Sequence, residues 1–358
     1  MDMIVLGADT HKRSHTLAAV VEATGRVLAD RTVAAKRRSF DELLVWARGL
    51  AGERVWAIED CRHVSGALER FLLVHGERVV RVAPKLMAGA RSSSRERGKS
   101  DAIDAVTIAR AAIREGLDNM PIAQLAGREL DVRLLVDHRE RLVRQRTRLI
   151  NDLRWGLHDL WPELEIPRRV LITAAWQERI GGRLARAAQT TRVRIARDEL
   201  RSIRELTRSI SALERELSVL VSELAPQLVA ERGCGALTAA KLVGEIAGIG
   251  RFANDAKLAR LAGSAPIPAS SGRSDRHRLD RGGNRQLHCA LHRLANSKAR
   301  LDPESAAYLA RKQAEGKTRR DALRCLKRQL ARRVWHLLQP PPERATEPVT
   351  IHCNAPHS

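Results

Sequence analysis

Apolar positions along this chain follow two regimes. In the first third they come in short strand-length blocks separated by polar turns, over residues 4–8, 17–22, 27–33, 55–58 and 79–82. Between and after those blocks, three-and-four spacing predicts helices over 39–49, 65–76 and 101–115. The second regime is helical and long. Residues 125–160 carry Leu130, Leu134, Leu142, Leu149, Leu153, Leu157 and Leu160 among dense charge. From 193 to 224 the apolar positions Leu200, Ile203, Leu206, Ile210, Leu213, Leu217, Leu220 and Leu224 step by three and four, a coiled-coil seam longer than three heptads. Such a seam predicts either an antiparallel hairpin with the preceding helix or pairing with another copy. The link 165–189, with Pro167 and Gly181-Gly182, reads as irregular. These shifts divide the chain into 1–120, 121–228, 229–338 and a proline-rich tail, 339–358, expected to be disordered.

Three strands joined by short turns, one of them Ala23-Thr24-Gly25-Arg26, and then alternating helix and strand give the element order of a ribonuclease-H-like, or RuvC-like, α/β sheet. The expected fold class is therefore α/β plus α. In that order Asp9 closes the first strand, Glu59 closes the fourth, and Asp101 and Asp104 open the last helix of the region. Two acids three apart share one helix face, so all four carboxylates can meet at one sheet edge. Hard oxygen donors suit Mg²⁺, or Mn²⁺. Taken alone, Asp101 and Asp104 are equally accounted for by capping, with Ser100 or Asp101 at the N-cap.

Composition narrows the partner. The 358 residues carry 64 Lys/Arg against 42 Asp/Glu, a net charge of +22, which calls for a polyanion and first of all nucleic acid. One Tyr and three Phe are too few for a base-stacking platform, so contact with the phosphate backbone is expected instead. No run of eighteen apolar residues and no signal-peptide pattern occurs, which excludes a membrane-spanning reading and points to the cytoplasm. Five scattered cysteines without a Cys-x-x-Cys pair fit reduced core thiols.

Residues 273–335 hold eighteen Lys/Arg against six Asp/Glu and so carry +12 of the total. Just before and within this stretch lies Pro266-Ile267-Pro268-Ala269-Ser270-Ser271-Gly272, followed by Arg273, Arg276, Arg278, Arg281 and Arg285 around Gly282-Gly283-Asn284. A serine on a turn ringed by guanidiniums is placed to meet a phosphodiester, although Ser-Ser-Gly alone is as well explained as a solvated turn. Upstream, Gly233-Cys234-Gly235 enters a small-residue helix, either as a helix-hairpin-helix element offering N–H groups to a phosphate or as an ordinary turn. His288 and His292 are i, i+4, but no third ligand stands at familiar spacing, so they are assigned to solvent or nucleic acid rather than zinc.

With these residues laid out, the chain resembles the transposases of insertion-sequence family 110, DEDD-plus-serine recombinases that work with bridge RNAs, and their relatives the pilin-gene invertases. The likeness runs to about Leu338. It is carried by Gly7-Ala8-Asp9-Thr10-His11-Lys12, Trp56-Ala57-Ile58-Glu59-Asp60, Arg97-Gly98-Lys99-Ser100-Asp101-Ala102-Ile103-Asp104, Pro268-Ala269-Ser270-Ser271-Gly272 and Arg281-Gly282-Gly283-Asn284. The resemblance implies that Asp9, Glu59, Asp101 and Asp104 bind Mg²⁺ and that Ser271 is the nucleophile. It also implies donor and target DNA, a bridge RNA, and a homo-oligomer, dimer or tetramer, in which the acidic part of one protomer meets the serine part of another. Asp60 rivals Glu59, because the Gly-rich stretch that many relatives have after the Glu is here Asp60-Cys61-Arg62-His63-Val64-Ser65, and Ser270 rivals Ser271.

Other classes remain open at this stage. A junction-resolving nuclease of the same fold would use the four acids and leave 229–338 without a task. An actin-like sugar kinase would share Gly-x-Asp-Thr and Asp280-Arg281-Gly282-Gly283 but would not explain +22. A non-enzymatic nucleic-acid scaffold would leave the acidic set unexplained.

Overall fold

The structure, a computed structural model, describes residues 2–59, 62–82, 86–87, 100–120, 122, 127–268, 277–279 and 283–340. Strands β1 (Met3–Thr10), β2 (Ser14–Val21), β3 (Val27–Ala34), β4 (Glu53–Glu59) and β5 (Val79–Val82) form one mixed sheet in the order β3-β2-β1-β4-β5. The first three pair antiparallel, and β1, β4 and β5 run parallel. Gly25, at φ +68°, turns the chain from β2 into β3.

Side-chain alternation splits the sheet into two apolar layers. Ile4, Leu6, Ala8, Trp56 and Ile58 face helices α1 (Arg37–Arg48) and α2 (Arg62–Val74), where Phe40, Leu43, Leu68 and Leu72 meet them. Val5, Val55, Ala57, Val80 and Val82 face the other way, onto Ile108, Ala109, Ala111 and Ala112 of α3 (Asp101–Glu115). Under α2, the one buried guanidinium of β5, Arg81, donates to Glu69 Oε2 at 2.7 and 2.9 Å, so that layer holds its charge as a matched pair.

Two helices of more than thirty residues leave the sheet. Helix α4 (Arg128–Leu160) and helix α6 (Thr191–Leu224) lie antiparallel, because contacts that climb along one descend along the other: Arg128 with Glu223, Arg139 with Glu214, Arg146 with Thr207, Arg192 with Asp159. The leucine seam thus closes within the chain, burying Leu153 and Leu157 with Leu200 and Ile203 at the far end.

The link between them is irregular only at its two ends. It forms α5 (Ala174–Arg186), whose Ile180 and Leu184 bury against that far end. Gly181-Gly182, read as breakers, sit inside this helix; a Cβ on Gly181 would meet only the tip of the Arg204 side chain at 2.8 Å, which can turn aside, so the helix is held by its buried face rather than by the glycines.

The near end of the hairpin joins the C-terminal helices. These are α7 (Pro226–Ala230), α8 (Ala236–Ile246), α9 (Asp255–Leu261), α10 (Arg285–Leu301), α11 (Pro303–Ala314) and α12 (Arg319–Leu337), with a two-stranded ribbon of β6 (Pro266–Pro268) and β7 (His277–Leu279). Val132, Val136, Leu217 and Val221 share one core with Leu242, Val243, Leu291, Leu294 and Leu330. No helix among the described residues is long and apolar enough to cross a membrane. The tail from 341 onward lies outside the described residues.

Candidate active site

Asp9, Asp101 and Asp104 come together, with Glu59 on the strand beside Asp9, because of how the sheet is built. Register pairs Ala8 with Ile58, so Asp9 and Glu59 follow each other's neighbours at the C-terminal ends of two adjacent parallel strands. Both continue the α3-facing series, Asp9 after Val5 and Gly7, Glu59 after Val55 and Ala57. Helix α3 begins at that corner, with Ser100 as N-cap, its Oγ accepting from the Ile103 N–H at 3.2 Å. The cap is therefore Ser100 rather than Asp101, and both aspartates fall in the first turn. The capping and the site-building roles coexist.

Gly7 sets the depth of the corner. A Cβ there would stand 2.1 Å from the Ala105 carbonyl oxygen and 2.6 Å from the Ala109 nitrogen, so α3 lies on β1 only because residue 7 has no side chain.

Asp9 is 6 % exposed and Asp104 8 %, whereas Asp101 stands at the rim. His11 joins Asp9 and Asp101: its Nε2 lies 3.1 Å from Asp9 Oδ2 and 3.5 Å from Asp101 Oδ1. Asp9, His11 and Asp101 offer ligand atoms all within 4.8 Å of one another. In the sequence His11 stands in the Gly-Ala-Asp-Thr-His-Lys motif with no role of its own. The available signal was its i+2 position after Asp9, where the chain leaves the strand and doubles back, which points a side chain toward the acid again.

Burial pushes the Asp9 carboxyl above the ordinary carboxylate range; His11 pulls it down, and Asp104 and then Asp101 push it up again. A buried acid crowded by two more is a poor place for bare negative charge and a good place for a divalent cation. The donors fit that use: carboxylate oxygens suit Mg²⁺ or Mn²⁺, and His11 could ligate or hold the carboxylates in orientation.

The second candidate region is defined by its anchors. Ser270, Ser271, Arg273, Arg276 and Arg281 lie outside the described residues, as does Asp60. Arg278 sits in β7, its backbone paired with Ile267, and Arg285 is exposed at the first position of α10. Between these, Gly283 is seated so closely that a Cβ would lie 2.4 Å from the Gly263 nitrogen and 2.6 Å from the Leu261 carbonyl oxygen. Asn284 caps α10, its Oδ1 accepting from the Gln286 and Leu287 N–H groups, while its Nδ2 donates to Glu245 Oε2 at 2.7 Å. Glu245 is 1 % exposed on α8 and belongs to a charge network with Lys241 and Arg133, through which Asp137 and Glu140 of α4 are joined. The Gly-Gly-Asn motif thus ties one end of the 269–282 segment to two helices.

The remaining motifs lie among the C-terminal helices. Gly233 takes φ +83° against Lys298, and Gly235 is the extended N-cap of α8. His288 does not face solvent or nucleic acid: its Nδ1 lies 3.1 Å from the Ala262 carbonyl oxygen and its Nε2 2.9 Å from Lys327 Nζ. Only His292 is exposed. The reason is that α12 packs across α10 and covers the first histidine of the pair.

Two family models match the chain. One, described as a transposase with a DEDD signature, covers residues 6–162; the other, described as the transposase family of IS116, IS110 and IS902, covers 227–310. An insertion element IS116 protein of Streptomyces clavuligerus is 28 % identical, over 94 % of this chain and 95 % of its own length. An insertion element IS900 protein of Mycobacterium paratuberculosis is 26 % identical over 93 % and 95 %. An insertion element IS110 protein of Streptomyces coelicolor is 41 % identical over a shorter stretch, 30 % of this chain and 26 % of that one.

Proposed function

The chain belongs to the IS116/IS110/IS902 transposase family of insertion elements, and from that premise we propose that it cuts and rejoins DNA through a serine-linked intermediate. The observation that carries the reading is the corner where Asp9, beside the end of β4, meets Asp101 and Asp104, on a sheet of order β3-β2-β1-β4-β5. That order, with α3 across it, supports a ribonuclease-H-like region over 1–120. Residues 121–228 serve as its helical spacer and 229–338 as the serine region.

Asp9, Glu59, Asp101 and Asp104 would hold Mg²⁺, which when bound supplies the polarisation of the scissile phosphate. His11 steadies Asp9 and Asp101. Ser271 Oγ bonds to phosphorus as the P–O bond to the sugar breaks; the serine gives up its proton and the departing sugar oxygen takes one. Arg273, Arg276, Arg278, Arg281 and Arg285 neutralise the phosphate as charge builds on it. Reversal of the step onto a new strand end rejoins the DNA. A bridge RNA that pairs with donor and target would choose the site, and Glu245 with Asn284 would fix the root of the serine loop.

Incubating Ser271→Ala with a nicked suicide DNA substrate should leave DNA binding intact and abolish the covalent protein–DNA adduct that wild type forms. An adduct on Ser270 would move the nucleophile by one residue, and efficient recombination by the Ser270→Ala, Ser271→Ala double variant would return the acids to a hydrolytic role. Oligomer assembly and the RNA have their own tests. Mixed Asp9→Asn and Ser271→Ala protomers should recover activity that neither has alone, and a native purification that yields no discrete RNA would remove the guide.

A further inference from the structure

Buried lysines in the C-terminal helices differ in how their charge is met. Lys241 has Glu140 at 3.2 Å, Asp137 at 3.3 Å and Glu245 at 3.8 Å. Lys298 has Glu231 at 2.7 Å and Asp302 at 3.2 Å. Lys327, on α12, is just as deeply buried, at 6 % exposure, yet among the described residues it has no carboxylate partner. Its Nζ donates to His288 Nε2 at 2.9 Å. Because that nitrogen accepts, the imidazole is neutral, and its Nδ1–H donates to the Ala262 carbonyl oxygen.

The surroundings add charge of the same sign. Arg320, Arg324 and Lys327 recur at i, i+4 and i+7 on one face of α12, and His292 lies one turn beyond His288 on α10. Arg320 and Arg324 both act on Lys327, and Lys327 acts on His292. The nearest acid along this face, Asp321, is already held by Arg324 at 2.6 Å and by the Thr318 hydroxyl at 2.6 Å. An ammonium taken from water without a counter-charge is costly, and an apolar side chain of the same length would fill the space without that cost. Burial accordingly pushes Lys327 below the usual lysine range. A residue kept at such a cost is explained when something that arrives later brings the missing negative charge.

We propose that Lys327, with Arg320 and His292 at its rim, is a binding site for a backbone phosphodiester of a nucleic-acid strand that lies across the outside of the seam where α10 and α12 meet. The place suits the purpose. His288 links Lys327 to Ala262, and Ala262 is followed by Gly263, against which Gly283 is seated, so a phosphate held here lies beside the root of the 269–282 segment. The site involves none of the arginines of that segment and none of the carboxylates. It rests on the nucleic-acid reading of the chain but on neither the serine nor the metal.

The test uses the full-length protein, binding by fluorescence anisotropy to a DNA duplex of about 30 base pairs and, separately, to a structured RNA of similar length, across a salt series. Lys327→Met should lose roughly 5–10-fold in affinity at fixed salt and lower the slope of log K against log salt by about one, the signature of a single lost phosphate contact. Lys327→Arg should keep most of the affinity, and the Lys327→Met Tm should hold or rise. A loss on DNA alone assigns the strand to DNA, a loss on RNA alone to RNA, and a loss on both to a phosphate position that the two share. Wild-type affinity and slope for Lys327→Met on both probes would overturn the site while leaving the transposase reading intact. So would a loss of affinity that comes with a lower Tm and an unchanged slope. Failure of the wild-type protein to bind either probe would remove the site and the reading together.

Discussion

Gly7→Ala tests the link between the fold and the acidic corner. The added Cβ would stand 2.1 Å from the Ala105 carbonyl oxygen, 2.6 Å from the Ala109 nitrogen and 2.9 Å from the Ala109 Cβ, all on α3. Ordinary contact begins near 3.4 Å, so the helix must withdraw by roughly 1 Å. The two nearest atoms are backbone and cannot rotate away, which puts the cost toward the upper end of the ~1–3 kcal/mol typical of overpacking. For a region of this size that is a fall in Tm of about 10 °C. The larger effect falls on the site, since Asp101 and Asp104 ride on α3 while Asp9 and His11 stay with β1. A withdrawal of about 1 Å exceeds what near-octahedral Mg²⁺ coordination tolerates, and metal affinity should drop by about 10–100-fold. Thermal unfolding with and without Mn²⁺ reads both quantities: wild type gains stability with metal, and Gly7→Ala starts lower and gains far less. Adding Ala109→Gly should not rescue it, because only the 2.9 Å contact is relieved. An unchanged Tm together with an unchanged Mn²⁺ shift would refute the claim that close approach at Gly7 builds the corner.

Two more outcomes follow from the same geometry. The folded-state pKa of Asp9 is raised, so its contribution to stability is full below the unfolded value of about 3.8 and is lost as pH rises through the folded pKa. At neutral pH without metal, Asp9→Asn should therefore be more stable than wild type. The gap should close toward pH 4 in urea melts, and a less stable Asp9→Asn at pH 7 would contradict it. In the hairpin, Ile210→Glu with Leu217→Glu places two charges at positions 2 % and 0 % exposed on one stripe of α6. The pair should cost more than about 4 kcal/mol and expand the particle in small-angle scattering, whereas a native profile with full activity would show that the seam is dispensable.

What the sequence disclosed, and what it hid, divides along physical lines. Strand blocks and capped helices are local properties, and the five strands and α3 fall within a few residues of the periodicity. The leucine seam was equally local, but its partner was not: only the ion pairs that descend α6 as they climb α4 tell a hairpin from a dimer. Gly181-Gly182 misled because a glycine inside a helix held by tertiary packing and a glycine that ends a helix look alike until the partners of its neighbours, here Ile180 and Leu184, are known. His11 and Glu245 were missed for a related reason. Each acts on a residue brought close by topology, Asp101 from ninety positions away and Asn284 from thirty-nine, and no spacing rule encodes such a pairing. The buried lysines show the same limit, for Lys241, Lys298 and Lys327 are indistinguishable from surface lysines in a basic sequence until burial and partners are seen.

Helix α3 also bears on how the two candidate regions could act together. Its first turn carries Asp101 and Asp104; its last residue, Glu115, pairs with Arg260 at the end of α9, next to the Leu261–Gly263 seat of Gly283. Fifteen residues of helix rise about 22 Å, so the point where the sheet region touches the C-terminal helices lies at the far end of α3 from the acids. Residues 269–276 leave from Pro268 and return to His277, which are paired across the ribbon. The proposed serine mechanism needs Ser271 in this segment to meet the acidic corner, either within one protomer or between two; mixed Asp9→Asn and Ser271→Ala protomers tell these apart, because only exchange between copies restores activity.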